Sequence, residues 1–242
     1  MLLARNRNYR LLFSASAVSN LGDGISALAF PWLASLLTRD PFLIAAVAAA
    51  GRLPWLLFTA PAGVMTDRIS RQRLMVWSDV VRAGLTGLVI LLILSIPQIE
   101  AGASTLTVWA LAALAFLLGM AEVLRDTAAQ TALPSIVASE DLEETNGQIW
   151  SNEQIMGSFV GPPLAGVLIA LAVPMPFVFD ALSFAVAAVL VAFIAFPERV
   201  VAGAVQSVWR DLRDGIAWRW AHKTILQLAV LLGFINAAST GY

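Results

Sequence analysis

Charged side chains recur inside stretches of this sequence that are otherwise apolar enough to cross a bilayer: Asp23, Arg52, Asp79, Arg82, Glu122, Arg125, Asp126 and Asp180. Such a group at the centre of a span costs about 2.5–3.5 kcal/mol on insertion scales, so each is a candidate for function. A carboxylate at depth can exchange a proton or neutralise a buried cation. Asp23 and Arg52 stand in consecutive apolar runs, and the helical rise puts their depths within ~5 Å of each other. A buried Asp23–Arg52 pair is therefore expected, and two readings of it stay open. In one, Asp23 carries a coupling proton and Arg52 tunes its affinity. In the other, Asp23 lines a wet cavity or forms a fixed bridge, and removing one partner costs about 3–5 kcal/mol. Glu122, Arg125 and Asp126 are expected at the depth of Asp79 and Arg82, in one network that acts as a gate. Asp180 opens a run near the outer face, where a helix-start carboxylate is ordinary.

Other chemistry lacks its residues. The chain has no Cys, which removes disulfides, thiolate metal sites and cysteine nucleophiles, and its one histidine is His222. No H-E-x-x-H, G-x-S-x-G or phosphate-loop pattern occurs, so no enzyme, cofactor or metal site is expected. A net charge of −1 gives no field for nucleic acid.

The elements that position these charges are read from apolar runs, since a bilayer core needs roughly 20 residues of helix. Hydrophobic residues make up 59% of the chain and charged residues 13%, about half the charge of a soluble domain. Helices are expected near 11–37, 42–65, 74–96, 105–128, 153–173 and 176–196, with a partial seventh over 225–242. The basic leader into the first run reads as a retained helix, not a cleaved signal. Twelve of the fifteen Lys and Arg fall on one side if the N-terminus is cytoplasmic, as the positive-inside rule requires. The expected domains are a bundle over 1–197, an amphipathic cytoplasmic linker over 198–224 carrying Trp209, Leu212, Ile216 and Trp220, and the partial helix. The lipid bilayer of the cell (inner) membrane is the expected surrounding.

The connection between the second and third helices reads Gly63-Val-Met-Thr-Asp67-Arg68-Ile-Ser-Arg71-Gln-Arg73. Gly63 is expected to allow close helix approach, and Asp67 to cap a neighbouring helix among arginines that hold the loop in water. Here the chain resembles the major facilitator superfamily, whose signature G-x-x-x-D-R-x-G-R-R lies in this slot. It departs at Ser70 and Gln72, with Arg73 one residue later. The stretches RLPWLLFTAPAGVMTDRISRQRLMVWSDVVRAGL and PFVFDALSFAVAAVLVAFI are similar to the branch of enterobactin-type and macrolide exporters. In the fifth helix, Gly157, Gly161, Pro162 and Gly166 resemble the antiporter motif G-x-x-x-G-P-x-x-G-G, with Ala165 as the departure; read from the residues alone they make a kinked, tightly packed helix. Trp109 to Met120 lacks the arginine many members carry, which removes one known basis for proton coupling.

The resemblance implies an all-α membrane protein: the N-terminal six-helix bundle of the major facilitator fold, two inverted three-helix repeats. It implies a signature-loop gate of Gly63, Asp67, Arg68, Arg71, Arg73, Asp79 and Arg82. It also implies proton-coupled export of a drug-like or siderophore-like molecule. The expected partners are that substrate, protons and a second six-helix bundle, from a missing C-terminal half or another copy. A chain ending at Tyr242 inside an apolar run reads as a fragment. The alternative is a non-transporting membrane scaffold. The cavity face of this half is expected to be apolar or small.

Overall fold

The computed structural model describes residues 2–96 and 104–196. The linker over 198–224 with His222, the partial helix over 225–242 and most of the 97–104 loop lie outside them. Within the described residues the fold is all helix. A short turn, α1 (Leu2–Arg5), precedes α2 (Arg7–Leu37), and α3 (Pro41–Arg68), α4 (Arg71–Leu94) and α5 (Thr105–Ala132) follow. Two 3₁₀ turns lead to α6 (Leu142–Glu153), a π-helical stretch over Gln154–Val160, α7 (Gly161–Leu171) and α8 (Met175–Ala192).

Local chemistry sets the ends. Asn6 caps α2 by accepting from the Tyr9 N–H, and Asp40 caps α3 by accepting from Phe42 just before Pro41 at the first helical position. Ser104 caps α5. The end of α8 leaves carbonyls without helical partners, and the Gln72 amide donates to Val191 O (3.1 Å), Ala192 O (3.1 Å) and Ile194 O (2.8 Å). The expected 63–73 loop is almost wholly helical: only Ile69 and Ser70 separate α3 from α4.

Five segments are long and apolar enough to cross a membrane, namely α3, α4, α5 with its following turn, the run from Ser139 to Leu171, and α8. The 31-residue α2 is long enough but more polar and is not among them. Large apolar side chains such as Phe42, Leu56, Leu91 and Leu171 stand exposed on the outward faces, as lipid-facing helices require. Two apolar clusters hold the interior. One gathers Phe30, Leu33, Val89, Leu111, Phe177 and Phe184; the other gathers Tyr9, Leu12, Met75, Leu133 and Val191. Between them lie the buried polar residues of α2, α4 and α5.

The fifth span departs from expectation. It starts at Leu142, ahead of 153, and the prolines do not break its middle. Pro162 and Pro163 open α7 and have no N–H to return to the carbonyls four residues back. The turn before them widens, and the Gly161 N–H reaches Met156 O, five residues behind. This stretch crosses α2 at backbone contact. A Cβ on Gly24 would lie 2.3 Å from Gly157 O, and one on Gly161 would lie 2.6 Å from Gly24 Cα. A Cβ on Gly63 or Gly166 would meet nothing within 4 Å, so the close approach expected at Gly63 is absent. Gly24→Ala and Gly161→Ala are each expected to destabilise by about 1–3 kcal/mol through backbone overlap. Gly63→Ala and Gly166→Ala are expected to be neutral or stabilising by up to about 1 kcal/mol. Thermal unfolding of the four variants in detergent checks this; equal stability of all four refutes the crossing.

Candidate functional site

The site grows from a polar stripe on α2. Ser16, Ser19, Asn20, Asp23 and Ser26 recur at spacings of three and four, so they share one face, and that face turns inward. Opposite it, α4 supplies Asp79 and Arg82, three residues apart, and α5 supplies Glu122, Arg125 and Asp126.

Arg82 is the hub. One guanidinium nitrogen pairs with the Asp23 carboxylate, and the other donates to Ser19 Oγ at 3.0 Å. Its guanidinium carbon lies 3.8 Å from the centroid of the Phe184 ring on α8, a cation–π contact. Arg125 donates to Ser16 Oγ (3.3 Å) and to Asp126 Oδ1 (3.1 Å). Asp79 sits between the two arginines, 3.7 Å from a nitrogen of each, with neither of its oxygens in a hydrogen bond. The side chains of Asp79, Arg82 and Arg125 are 0%, 2% and 2% exposed, and that of Asp23 is 22% exposed. Asp79 is thus a carboxylate shared loosely by two cations that each hold a nearer partner.

The expected partner of Asp23 is corrected: the carboxylate is paired with Arg82 of α4, not Arg52 of α3. Depth along the helices pointed to Arg52, but α3 packs chiefly on α5 while α4 and α2 both pack on α8. Arg52 instead lines the cavity that Asp23 also lines.

That cavity has a volume of about 410 Å³, within the range of small-molecule sites. Its walls carry Asp23, Glu122, Asp126, Glu153 and Asp180 against Arg52 and Arg82, with Phe30 and Phe184 as aromatic surface. The expectation of an apolar or small-residue cavity face is therefore corrected. Glu122 accepts a 3.3 Å hydrogen bond from the Trp55 indole. Asp180 is also corrected, since it is no ordinary helix-start carboxylate. It is fully buried in the second turn of α8, accepts from the Ser26 hydroxyl, and keeps Oδ1 without a hydrogen-bond partner. It fits against α2 because Gly22 has no side chain: a Cβ there would lie 2.3 Å from Oδ1.

Two residues of the connection stand at the surface. Asp67 and Arg73 are exposed, and Arg71 donates to Ser135 Oγ at 2.9 Å. Ion pairs link Asp79, Arg82, Arg125 and Asp126, and Asp23 joins them through Arg82; Glu122 is in none of these pairs and accepts from the Trp55 indole. Gly157 and Gly161 meet Gly24, while Pro162 is the second residue of α7.

A family model described as transmembrane secretion effector matches residues 3–240. The chain belongs to that family of major facilitator transporters. Among curated proteins, the multidrug efflux pump Tap of Mycolicibacterium fortuitum is 30% identical over 164 residues, covering 66% of this chain and 38% of that protein. The Tap pump of Mycobacterium tuberculosis is 29% identical over 174 residues, covering 66% of this chain and 37% of its own. The matched stretch thus spans under two fifths of these relatives. No solved structure matches. Membership in the transmembrane secretion effector family, with five membrane-capable helices, makes this a multi-pass membrane protein of a transporter family and not an enzyme.

Within that family frame, sequence reasoning missed Ser16, Ser19, Ser26, Glu153 and Phe184 and undervalued Asp180. The signal for the serines was the polar stripe on α2. For Asp180 it was the pairing of a span carboxylate with a glycine one helix away, visible only in three dimensions.

Proposed function

We propose that the chain forms the cation-handling half of a secondary transporter that exports drug-like small molecules across the cell (inner) membrane, driven by inward proton movement and working by alternating access. The observation that carries the reading is the chain of Asp23, Arg82, Asp79, Arg125 and Asp126, which opens at Asp23, Arg82 and Asp126 onto a small-molecule-sized cavity. When Asp23 is ionised, Arg82 is held toward α2. When Asp23 takes a proton that attraction ends, and Asp79 is the next carboxylate within reach. A one-proton event thereby moves a cation between two helices, which is what coupling needs. The six-span count, with α2 as the first, two inverted three-helix repeats and a second bundle closing the cavity belong to the same reading. So does an antiporter role for the Gly157–Gly161 crossing and a gate at Asp67 and Arg68. The likeness to Tap pumps supports the drug class.

The direct test measures efflux of a fluorescent drug from preloaded cells under a proton gradient. Collapse of the gradient is expected to stop efflux, and efflux unaffected by that collapse refutes proton coupling.

Orientation is tested separately. With no native Cys, single cysteines report cleanly. A cysteine at Ser104 is expected to react with an impermeant maleimide on intact cells, and one at Ser70 only after lysis. The reverse pattern sinks the N-in arrangement.

A further inference from the structure

The end of the bundle that holds the start of α2 is divided by charge. On one flank Tyr9 donates to Gln148 Oε1 (2.7 Å) and the Gln148 amide donates to Glu144 (2.8 Å), with Glu140 and Glu143 exposed in the same acidic stretch. On the other flank two amides grip the end of α8. Asn8 exchanges hydrogen bonds of 2.8 and 3.2 Å with the Ala195 backbone, and Gln72 bridges Val191, Ala192 and Ile194. Their neighbours in sequence, Arg7 and Arg73, are exposed, and α2, α4 and α8 carry no acid at this end. The exposed acid of the adjoining connection, Asp67, is outnumbered by Arg68, Arg71 and Arg73. Inward from Arg73, the outer face of α4 presents Trp77, Val81, Leu88 and Leu91. Gly84 interrupts that stripe: it is exposed, and a Cβ there would meet nothing within 4 Å. The outer face therefore has a notch. At the helical rise Trp77 lies about 6 Å and Gly84 about 16 Å deeper than Arg73, and one leaflet of hydrocarbon is about 15 Å deep.

We infer that this outer corner of α4 and α8 binds one anionic phospholipid, with its phosphate at Arg73 and Arg7 and an acyl chain in the Gly84 notch. The site needs only the membrane setting of the fold and is independent of the efflux reading. Trp77 falls at the depth of the ester carbonyls, where an indole N–H finds an acceptor. Exposed Phe193 at the end of α8 adds apolar surface for the chain. Orientation alone accounts for arginines on this side, but not for a notch one leaflet's depth beneath them. A zwitterionic lipid fills the notch but brings its own cationic group to the arginines. Free phosphate reaches the arginines and leaves the notch untouched. The acidic flank at Glu144 repels an anionic headgroup, so the division of charge selects this corner.

Native mass spectrometry of the purified full-length protein in detergent measures which lipids it retains. Dioleoylphosphatidylglycerol and dioleoylphosphatidylcholine are offered together, since they share their chains and differ in headgroup charge. Wild type is expected to prefer the anionic lipid by about tenfold, and Arg73→Gln and Arg7→Gln each to lose about threefold or more of that preference. Gly84→Leu fills the notch without touching a charge, and is expected to weaken retention of the anionic lipid about threefold or more. Arg39→Gln, at the opposite end of α2, is expected to change nothing, and excess inorganic phosphate to leave the lipid bound. Equal retention of the two lipids by wild type overturns the inference without any variant. So does a folded Arg73→Gln or Gly84→Leu protein that retains the anionic lipid as wild type does. Displacement by phosphate assigns the arginines to a soluble anion and overturns it as well. None of these outcomes depends on whether the protein drives efflux.

Discussion

Arg125→Met is expected to yield little or no folded protein, with a loss of at least about 3 kcal/mol. The side chain is 2% exposed and sits against Asp79 and Asp126. Methionine fills similar volume, so packing is not the issue. The substitution leaves Asp79 buried with Arg82 alone, and Arg82 is already committed to Asp23. Breaking a buried ion pair by removing one partner costs about 3–5 kcal/mol, because the remaining charge is stranded. Asp79→Asn should behave oppositely. It deletes the shared carboxylate and leaves two arginines that each keep a nearer partner, so the protein should fold with a loss of about 1 kcal/mol or less. Folded yield by size-exclusion chromatography and thermal unfolding decide the matter. A well-folded Arg125→Met protein beside an unfolded Asp79→Asn protein overturns the proposed distribution of charge.

Asp23→Asn is expected to keep the fold and abolish proton-driven efflux. Arg82 loses its nearest carboxylate but retains the Ser19 hydroxyl, Asp79 and the Phe184 face, so the loss is cushioned. Asparagine takes no proton, and the cation no longer has a reason to move. Arg82→Met should cost much more stability, since Asp23 then loses its ion-pair partner and Asp79 keeps only Arg125. The double variant Asp23→Asn, Arg82→Met tests the alternative in which the pair is only structural. In that alternative the neutral double restores folding and transport together. With Asp23 as the coupling group it restores folding alone. Expression, drug binding and efflux under a proton gradient are measured for all three, and full proton-driven efflux by the double variant rules out the coupling role.

Helix identity was legible because a membrane span is written in composition. Runs of about 20 apolar residues announce themselves, and most observed helices fall close to the expected positions, though α5 runs on to Ala132 and the fifth span starts at Leu142, well ahead of 153. The set of charged residues was equally legible, because each stood out against its run. Their partners were not. Depth matched Asp23 to Arg52, and only lateral packing of α4 and α8 around α2 selects Arg82 instead. The π-helical stretch was hidden because proline in a sequence signals a lost hydrogen bond without saying whether the chain kinks or the preceding turn widens. The role of Asp180 depended on the missing side chain of Gly22, a residue whose significance is the space it leaves.

The Gln72 amide at the end of α8 has a bearing on how this protein responds to its medium. The signature this connection resembles has a basic residue in that slot, where a cation facing a helix C-terminus gains from the helix dipole and loses that gain as salt rises. Here a neutral donor makes the same bridge to Val191, Ala192 and Ile194. Its strength comes from short-range geometry and is nearly indifferent to ionic strength. The join between the start of α4 and the end of α8 is therefore built to hold equally in dilute and in concentrated electrolyte.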